Sequence, residues 1–440
     1  MKKFKKFKKL KNFVFGASSV VLFSGAVALL ENNVFGDIEY EYQDVTLVLP
    51  KDGSFEDHRF CENNEIAEEY MMTLGASIDS FNVIEGVELT KATGDGEINI
   101  PNEIDDKPVL KLGKNLFANI NESVTGEVII PKNVVYIGDG AFKDCFDLNG
   151  LSFEEGSELL VIGQQAFDGC TEMTGDLILP EKLRLIEEAA FRQCGFCGNL
   201  VLNSNLVKIG NDAFESCSNF CFGEDKILRL PKNIKELGKS VFESASFEGV
   251  EFPSECLLKS INKCVFKDAL GNTDEQHTLE IPKNVTLICE SAFQNCNFKN
   301  IILNDGLEII SDNSFAGGNL GNVVIIPSSV KTIGKDAFNG AGVKCFVFKE
   351  NNDNLNIEEG AFVDICYFLV VNLDEKHINN ENFIYDDVRF ISVEDKYLES
   401  VIEYLQKYDK WSDANDIYSI ENIMSDIEKF VEGLKENEIE

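Results

Sequence analysis

Phenylalanine recurs along this chain at one repeat position, and that spacing restricts the possible folds more than any other feature. Eleven of the 34 Phe residues follow one another at intervals of 22–28 residues, and each is preceded five positions earlier by Ile or Leu. A period of this length that is rich in Leu and Ile predicts a solenoid of the leucine-rich-repeat type. The repeating residues are Phe117, Phe142, Phe167, Phe191, Phe214, Phe242, Phe266, Phe293, Phe315, Phe338 and Phe362.

A short alternating run, such as LILP at Leu177–Pro180, lies upstream of the repeated Phe. Alternation with a period of two predicts a short strand with every second side chain inward, and Pro ends the strand because it has no N–H to donate. A coil of about 24 residues cannot bury its apolar face alone, so coils must stack about 4.8 Å apart. We therefore predict stacked short parallel β-strands, mostly β with short turns and helices, around a buried Phe column.

Two segments carry a resemblance to a known family. IPKNVVYIGDGAFKDC, at 130–145, and IPSSVKTIGKDAFNGA, at 326–341, resemble the BspA-like leucine-rich repeats of bacterial surface proteins. The resemblance extends roughly over residues 81–420. It implies an extracellular or surface-exposed solenoid that serves in adhesion or partner binding, often without catalytic activity, and it supplies no fixed binding residues.

The first residues are typical of an export signal. Seven lysines lie within the first eleven residues, an apolar stretch follows at Phe13–Leu30, and Ala26, Val27 and Ala28 form a small-x-small cleavage site. This order of basic, apolar and small residues predicts a secretory signal peptide over 1–28. The alternative is an uncleaved N-terminal anchor, since 18 residues is near the lower limit for a membrane span. Either reading predicts a secreted or cell-surface protein.

After the export signal the pattern predicts four segments. We expect a small N-terminal cap at 37–80, the solenoid of about eleven coils at 81–370, a C-terminal capping segment at 371–420 and an acidic amphipathic helix at 421–440. The helical stripe at 398–405 is expected to cover the open end of the stack, because terminal strands need protection. The second stripe, at 423–434, either packs in the same way or pairs with another chain.

Composition limits the partners and the chemistry. The formal charge is −36, so nucleic acid is a poor partner, and so is a membrane surface beyond a possible N-terminal anchor. Only three His residues are present, and no spacing suggests a catalytic triad, so we expect no enzyme and no cofactor.

Thirteen cysteines suggest disulfides or a metal in an exported protein. Five of them, however, share the position three residues after the repeated Phe, where Ala and Gly also occur, which favours buried core positions. A weak zinc candidate remains, because four cysteines on adjacent coils have spacing close to that of a four-cysteine site. The four are Cys194, Cys197, Cys217 and Cys221. A disulfide between Cys197 and Cys221 is an alternative.

One row of strand residues is a candidate binding face. If the residues one and three positions before the strand-ending Pro point inward, the residue between them faces outward. Six of the eleven outward residues are β-branched and apolar, which reflects either β propensity or an extended protein-binding surface. The row reads Asn99, Ile129, Ser152, Ile178, Val201, Arg229, Glu251, Glu280, Ile302, Ile325 and Val347.

Two functions follow from these observations. The first is a secreted or surface-displayed scaffold that binds an extracellular or surface protein without catalysis. The alternative is a structural envelope protein that associates with itself through its C-terminal helices.

Overall fold

The computed structural model describes residues 38–50, 81–220, 227–269, 277–349, 354–365, 368–373, 388–408 and 417–437. Over these ranges the chain winds into a solenoid in which each coil carries two short strands, followed by a turn that contains the repeated Phe. Strands of successive coils pair in parallel and form two ladders, so the predicted solenoid of stacked short parallel strands is confirmed.

The first ladder lies upstream in each coil. Its inward residues are buried in one continuous core, as the alternating pattern predicts. Numbered in chain order, its strands are β3 (Gly96–Glu97), β6 (Val124–Ile130), β8 (Leu148–Phe153), β10 (Leu177–Ile178), β12 (Leu200–Val201), β14 (Ile227–Arg229), β16 (Gly249–Glu251), β18 (Thr278–Glu280), β20 (Asn300–Ile302), β22 (Val323–Ile326), β24 (Cys345–Phe348), β26 (Phe368–Val371) and β27 (Val388–Ile391).

The second ladder is built on the Ile or Leu that stands five residues before each Phe. Hydrogen-bonded pairing runs without a break from β2 to β15 and again from β17 to β25. Its strands are β2 (Phe81–Thr93), β5 (Lys107–Leu112), β7 (Tyr136–Ile137), β9 (Val161–Ile162), β11 (Leu185–Ile186), β13 (Lys208–Ile209), β15 (Glu236–Leu237), β17 (Ser260–Ile261), β19 (Leu287–Ile288), β21 (Ile309–Ile310), β23 (Thr332–Ile333) and β25 (Asn356–Ile357).

The repeated phenylalanines form one uninterrupted column. From Phe117 to Phe362, successive ring centroids are 4.8–5.7 Å apart and the ring planes lie within 22° of parallel. All eleven rings are buried. The predicted aromatic column is therefore confirmed, and its spacing is equal to or slightly larger than the separation of about 4.8 Å between paired strands.

The turn around each Phe also bonds to the next coil. The N–H of Phe142 donates to the carbonyl of Ala166 at 2.7 Å, and the residues two before and two after Phe142 donate in the same way. This third set of bonds requires the left-handed backbone region two residues before every repeated Phe, although only two of these eleven residues are Gly. The residues are Asn115, Gly140, Gln165, Ala189, Asp212, Ser240, Cys264, Ser291, Asn313, Asp336 and Gly360.

An antiparallel hairpin begins the solenoid. β1 (Glu39–Pro50) pairs along its whole length with β2, and β2 in turn pairs with β5; the short β4 (Glu103–Ile104) pairs with β5 as well. Leu47 and Leu49 of β1 belong to a buried cluster with Tyr136, Val161 and Leu185 from the second ladder. The hairpin thus adds apolar cover to the first coils. Residues 51–80, the rest of the expected cap, lie outside the described residues, as does the signal segment.

Two helices end the described chain: α1 (Asp395–Gln406) and α2 (Ile417–Asn437). We expected the first of them to close the open end of the stack. Instead both pack on the outward face of the last four strands of the first ladder, where Val347, Leu369 and Val371 are buried against them. The second helix also begins at Ile417, four residues before the predicted boundary.

Replacing one ring of the column should destabilise the whole array. We expect Phe214→Ala to lower the free energy of unfolding by about 3–5 kcal/mol, because it removes a buried ring and leaves a cavity between two neighbouring rings. The control is Phe146→Ala, at a ring that is 42% exposed, which should change it by less than about 0.5 kcal/mol. Urea unfolding of both variants measures the difference. Equal decreases in the free energy of unfolding would contradict a stabilising role of the column.

Candidate interaction face

The outward residues of the first ladder form a row that is exposed over most of its length. Four apolar side chains in this row are about half exposed: Ile129 (50%), Ile178 (58%), Val201 (45%) and Ile302 (52%). Large apolar residues this exposed are few among the described residues, and these four share one repeat position. We call the outward residues from Ile129 to Ile302 the open row.

Strand pairing places neighbours of the open row side by side. Ile178 lies opposite Val201 in the β10–β12 pair, which gives one apolar step along the stack. Arg229 lies opposite Glu251, and its Nε is 3.1 Å from a carboxylate oxygen of that residue. Because both side chains of this pair are more than half exposed, it contributes little to stability and leaves the centre of the row polar.

The C-terminal end of the predicted row is not a surface. Val347 is fully buried and Ile325 is half-buried, because both contact the cluster formed by the two helices. Their assignment as exposed binding residues was therefore wrong. The sequence carried a signal for this: β22, β24 and β26 read VVII, CFVF and FLVV, and strands that are apolar at every position are buried on both faces.

The apolar stripe of α2 is used within the chain. Ile420, Ile423 and Ile427 are buried, and Phe430 stacks on Tyr404 of α1 with the ring centroids 4.4 Å apart. Arg389 of β27 binds Glu421 at 2.9 Å and ties the helix to the ladder. The residues that we considered for pairing with another chain are thus engaged in the fold.

The cysteines that follow the Phe column donate hydrogen bonds between coils. The thiol of Cys170 donates to the carbonyl oxygen of Phe142 in the preceding coil at 3.2 Å, and Cys217 donates to Phe191 at 3.0 Å. Cys194 and Cys296 make the same bond at 3.1 and 2.9 Å. Sequence reasoning placed these residues in the core but missed the bond, because Ala and Gly at the same position suggested only a size requirement.

Burial keeps these thiols protonated. It raises the pKa of Cys217 to about 12, and it raises the pKa of Cys170 and of Cys194 well above the usual value. A protonated thiol can donate, whereas a thiolate cannot. These cysteines are therefore poor nucleophiles and poor metal ligands in the folded chain.

The candidate zinc site does not assemble from the cysteines that the structure describes. Cys194 and Cys217 face the core, whereas Cys197 is exposed, and Cys221 lies outside the described residues, so the alternative Cys197–Cys221 disulfide stays a prediction. Within the described ranges no group of three His, Cys, Asp or Glu residues is arranged to hold a metal ion.

The raised thiol pKa values predict a loss of stability at alkaline pH. The folded chain holds these protons more tightly than the unfolded chain, so their contribution is full below about pH 8.5 and falls as the pH rises towards 12. The contribution of each thiol to the free energy of unfolding should fall by up to about 1.4 kcal/mol per pH unit in that window.

The control is a triple variant, Cys170→Ala, Cys194→Ala and Cys217→Ala, since Ala occupies the same position at Ala245 and Ala269. Urea unfolding at pH 8 and pH 10 should show a shallower pH slope in this variant than in the natural chain. Equal slopes would contradict protonated thiols as the source of the effect.

Comparison with known proteins agrees with the observed fold. The family profile described as BspA type leucine rich repeat region matches in six copies, at residues 110–222, 155–273 and 260–388. Because these matches span more than half of the chain, the protein belongs to the BspA-type leucine-rich repeat family. Family and fold are typical of non-catalytic scaffolds that bind other proteins.

Several solved bacterial structures are similar to this chain. They include a leucine rich cell surface protein from Faecalibacterium prausnitzii A2-165, with 20% identity, 62% of this chain and 89% of that chain covered, and a TM-score of 0.34. The leucine rich repeat protein of T. pallidum has 26% identity, coverage of 48% and 81%, and a TM-score of 0.33. A leucine-rich repeat protein from Bacteroides ovatus has 21% identity, coverage of 70% and 96%, and a TM-score of 0.37.

No curated protein matches the chain. Neither of the two helices in the described residues is long and apolar enough to cross a membrane.

Proposed function

We propose that this protein is a secreted or surface-displayed adhesin-type scaffold that binds another protein through the open row. The observation that carries the proposal is the exposure of Ile129, Ile178, Val201 and Ile302 at one repeat position of a rigid ladder. Aligned apolar side chains on a rigid surface bind at low entropic cost, because the surface does not have to be ordered first.

Family membership supports the class of function. Stacked repeats supply an extended surface whose outward residues can vary while the buried column stays fixed. The chemistry of the row supports protein as the ligand, since apolar anchors around a charged centre resemble the anatomy of protein interfaces. Its acidic residues, Glu251 and Glu280, disfavour nucleic acid.

The export signal supports an extracellular location. If the signal is cleaved after Ala28, protein that a bacterial host exports to the medium or the cell surface should lack residues 1–28. The intact mass of the recovered protein tests this. Protein that keeps those residues would favour the uncleaved anchor instead.

Placing charge on the open row should abolish partner binding without unfolding the chain. The unsubstituted chain 29–440 is first tested on an array of purified extracellular and cell-surface proteins to find those that it binds. We expect the double variant Ile178→Lys and Ile302→Lys to bind the same proteins at least about tenfold more weakly than the unsubstituted chain. The lost apolar contacts and the charge each oppose docking, whereas both sites are exposed in the free protein.

The matched control is Phe146→Lys, which places the same charge on an exposed apolar residue outside the row. It should leave binding unchanged, and all variants should keep the natural thermal midpoint to within a few degrees. Unchanged binding by the double variant would remove the open row from consideration. Ile325→Lys is unsuitable for this test, because that residue packs under the helices.

A further inference from the structure

We propose that the partner segment bound by the open row is a basic amphipathic α-helix lying along the stack, with one helical turn over each coil. The inference rests on the proposed function, since it names the kind of partner that the same row would bind. Three independent features of the structure support it: the spacing of the row, the cover over its continuation and its charge.

The spacing of the coils matches a helix. Paired strands of neighbouring coils lie about 4.8 Å apart, and the ring centroids in the column are 4.8–5.7 Å apart. An α-helix presents one face again about every 5.4 Å, so successive turns stay close to successive coils over about four coils. An extended strand presents the same face every 6.6–6.8 Å, about two residues on, and falls out of step within a few coils.

The chain itself places helices on the continuation of this row. Beyond Ile302 the next two row residues, Ile325 and Val347, contact α1 and α2 through their apolar stripes. The open row is therefore continuous with an interface between this ladder and amphipathic helices. A partner helix would extend the same type of contact towards the N-terminal coils.

The charge of the open row selects a basic helix. Glu251 and Glu280 lie in the row, and two exposed acidic residues stand two positions before row residues: Glu127 within β6 and Asp176 just before β10. Arg229 pairs with Glu251, so these two charges offset each other. Glu280, Glu127 and Asp176 then leave the face with a net negative charge. The net negative field over this face attracts lysine and arginine and repels acidic segments.

The charge of the open row also disfavours a second copy of this chain as the partner. The α2 helix carries Glu421, Asp426, Glu428, Glu432 and Glu436 against two lysines, so it is acidic as a whole. An acidic helix would meet like charge over the centre of the row. Its apolar stripe is also packed within its own chain.

The order of residues gives the partner a pattern. Apolar turns would lie on Ile178 and Val201, cationic turns near Glu251 and Glu280, and an apolar turn on Ile302. Val201 and Ile302 are four coils apart, about 20 Å or four helical turns. A helix of about 28 residues, or roughly eight turns, would span the whole open row.

Three synthetic peptides of about 28 residues test the proposal against the mature chain 29–440. The first is an amphipathic helix with a Leu stripe flanked by Lys, the second replaces every Lys by Glu, and the third is the Lys peptide with two central prolines. Fluorescence anisotropy measures affinity, and circular dichroism measures helix formation. We expect the Lys peptide to bind helically and at least about tenfold more tightly than either of the others.

Charge variants show whether binding is at the row. Glu280→Lys should weaken the Lys peptide by about tenfold or more and strengthen the Glu peptide, whereas Glu172→Lys makes the same charge change at an exposed turn away from the row and should have little effect. Equal effects of the two substitutions would overturn the proposal, as would equal binding of the proline peptide.

The outcome is distinguishable from failure of the proposed function. If array partners depend on Ile178 and Ile302 while no peptide discriminates by helicity or charge, the helical partner is wrong and the binding row stands. If neither partners nor peptides depend on the row, both proposals fail.

Discussion

Face-to-face contact between phenylalanine rings of successive coils is the interaction on which the rest of this structure depends. One coil is too small to enclose its own apolar side chains, so each ring is buried only because the next coil supplies another. The ring separation of 4.8–5.7 Å is compatible with the spacing of about 4.8 Å between paired strands, so the rings can stack while both ladders pair in parallel and the N–H groups around the repeated Phe residues reach the following turn. Equivalent outward residues of neighbouring coils are separated by the distance between the coils, so the stacking of the coils determines how surface residues are spaced.

The two ends of the stack receive apolar cover on different faces. At the N-terminal end, Leu47 and Leu49 of the hairpin share a buried cluster with outward residues of the second ladder. At the C-terminal end, α1 and α2 cover outward residues of the first ladder from Val323 to Ile391. The first ladder is consequently open from Ile129 to Ile302, and the two helices cover the strands that follow this stretch. In the function proposed above, this open stretch is the surface that binds the partner.

Periodicity predicted those parts of the structure that depend on local pattern and stacking. The Phe column, the inward Ile and Leu residues and the exposure of Ile178 follow from one repeat and from alternation in a strand. Position-by-position reading could not place the helices, because Val347 is outward by alternation and becomes buried only through a distant segment. It also missed the left-handed backbone before each Phe, since Gln165 and Ala189 stand where glycine would have signalled it. The thiol bond of Cys194 was missed for a similar reason, because Ala245 and Ala269 occupy the same repeat position and cannot make it.

The claim that most needs testing is that one continuous stack buries the Phe column and leaves the first ladder open only as far as the helices. Hydroxyl-radical footprinting of the protein, read by mass spectrometry, measures side-chain accessibility at each of these positions. Ile178 and Ile302 should be oxidised readily, whereas Val347 and the column residues such as Phe242 should be protected. Oxidation of Phe242 or Val347 at the rate of Ile178 would contradict the stack, the cover or both.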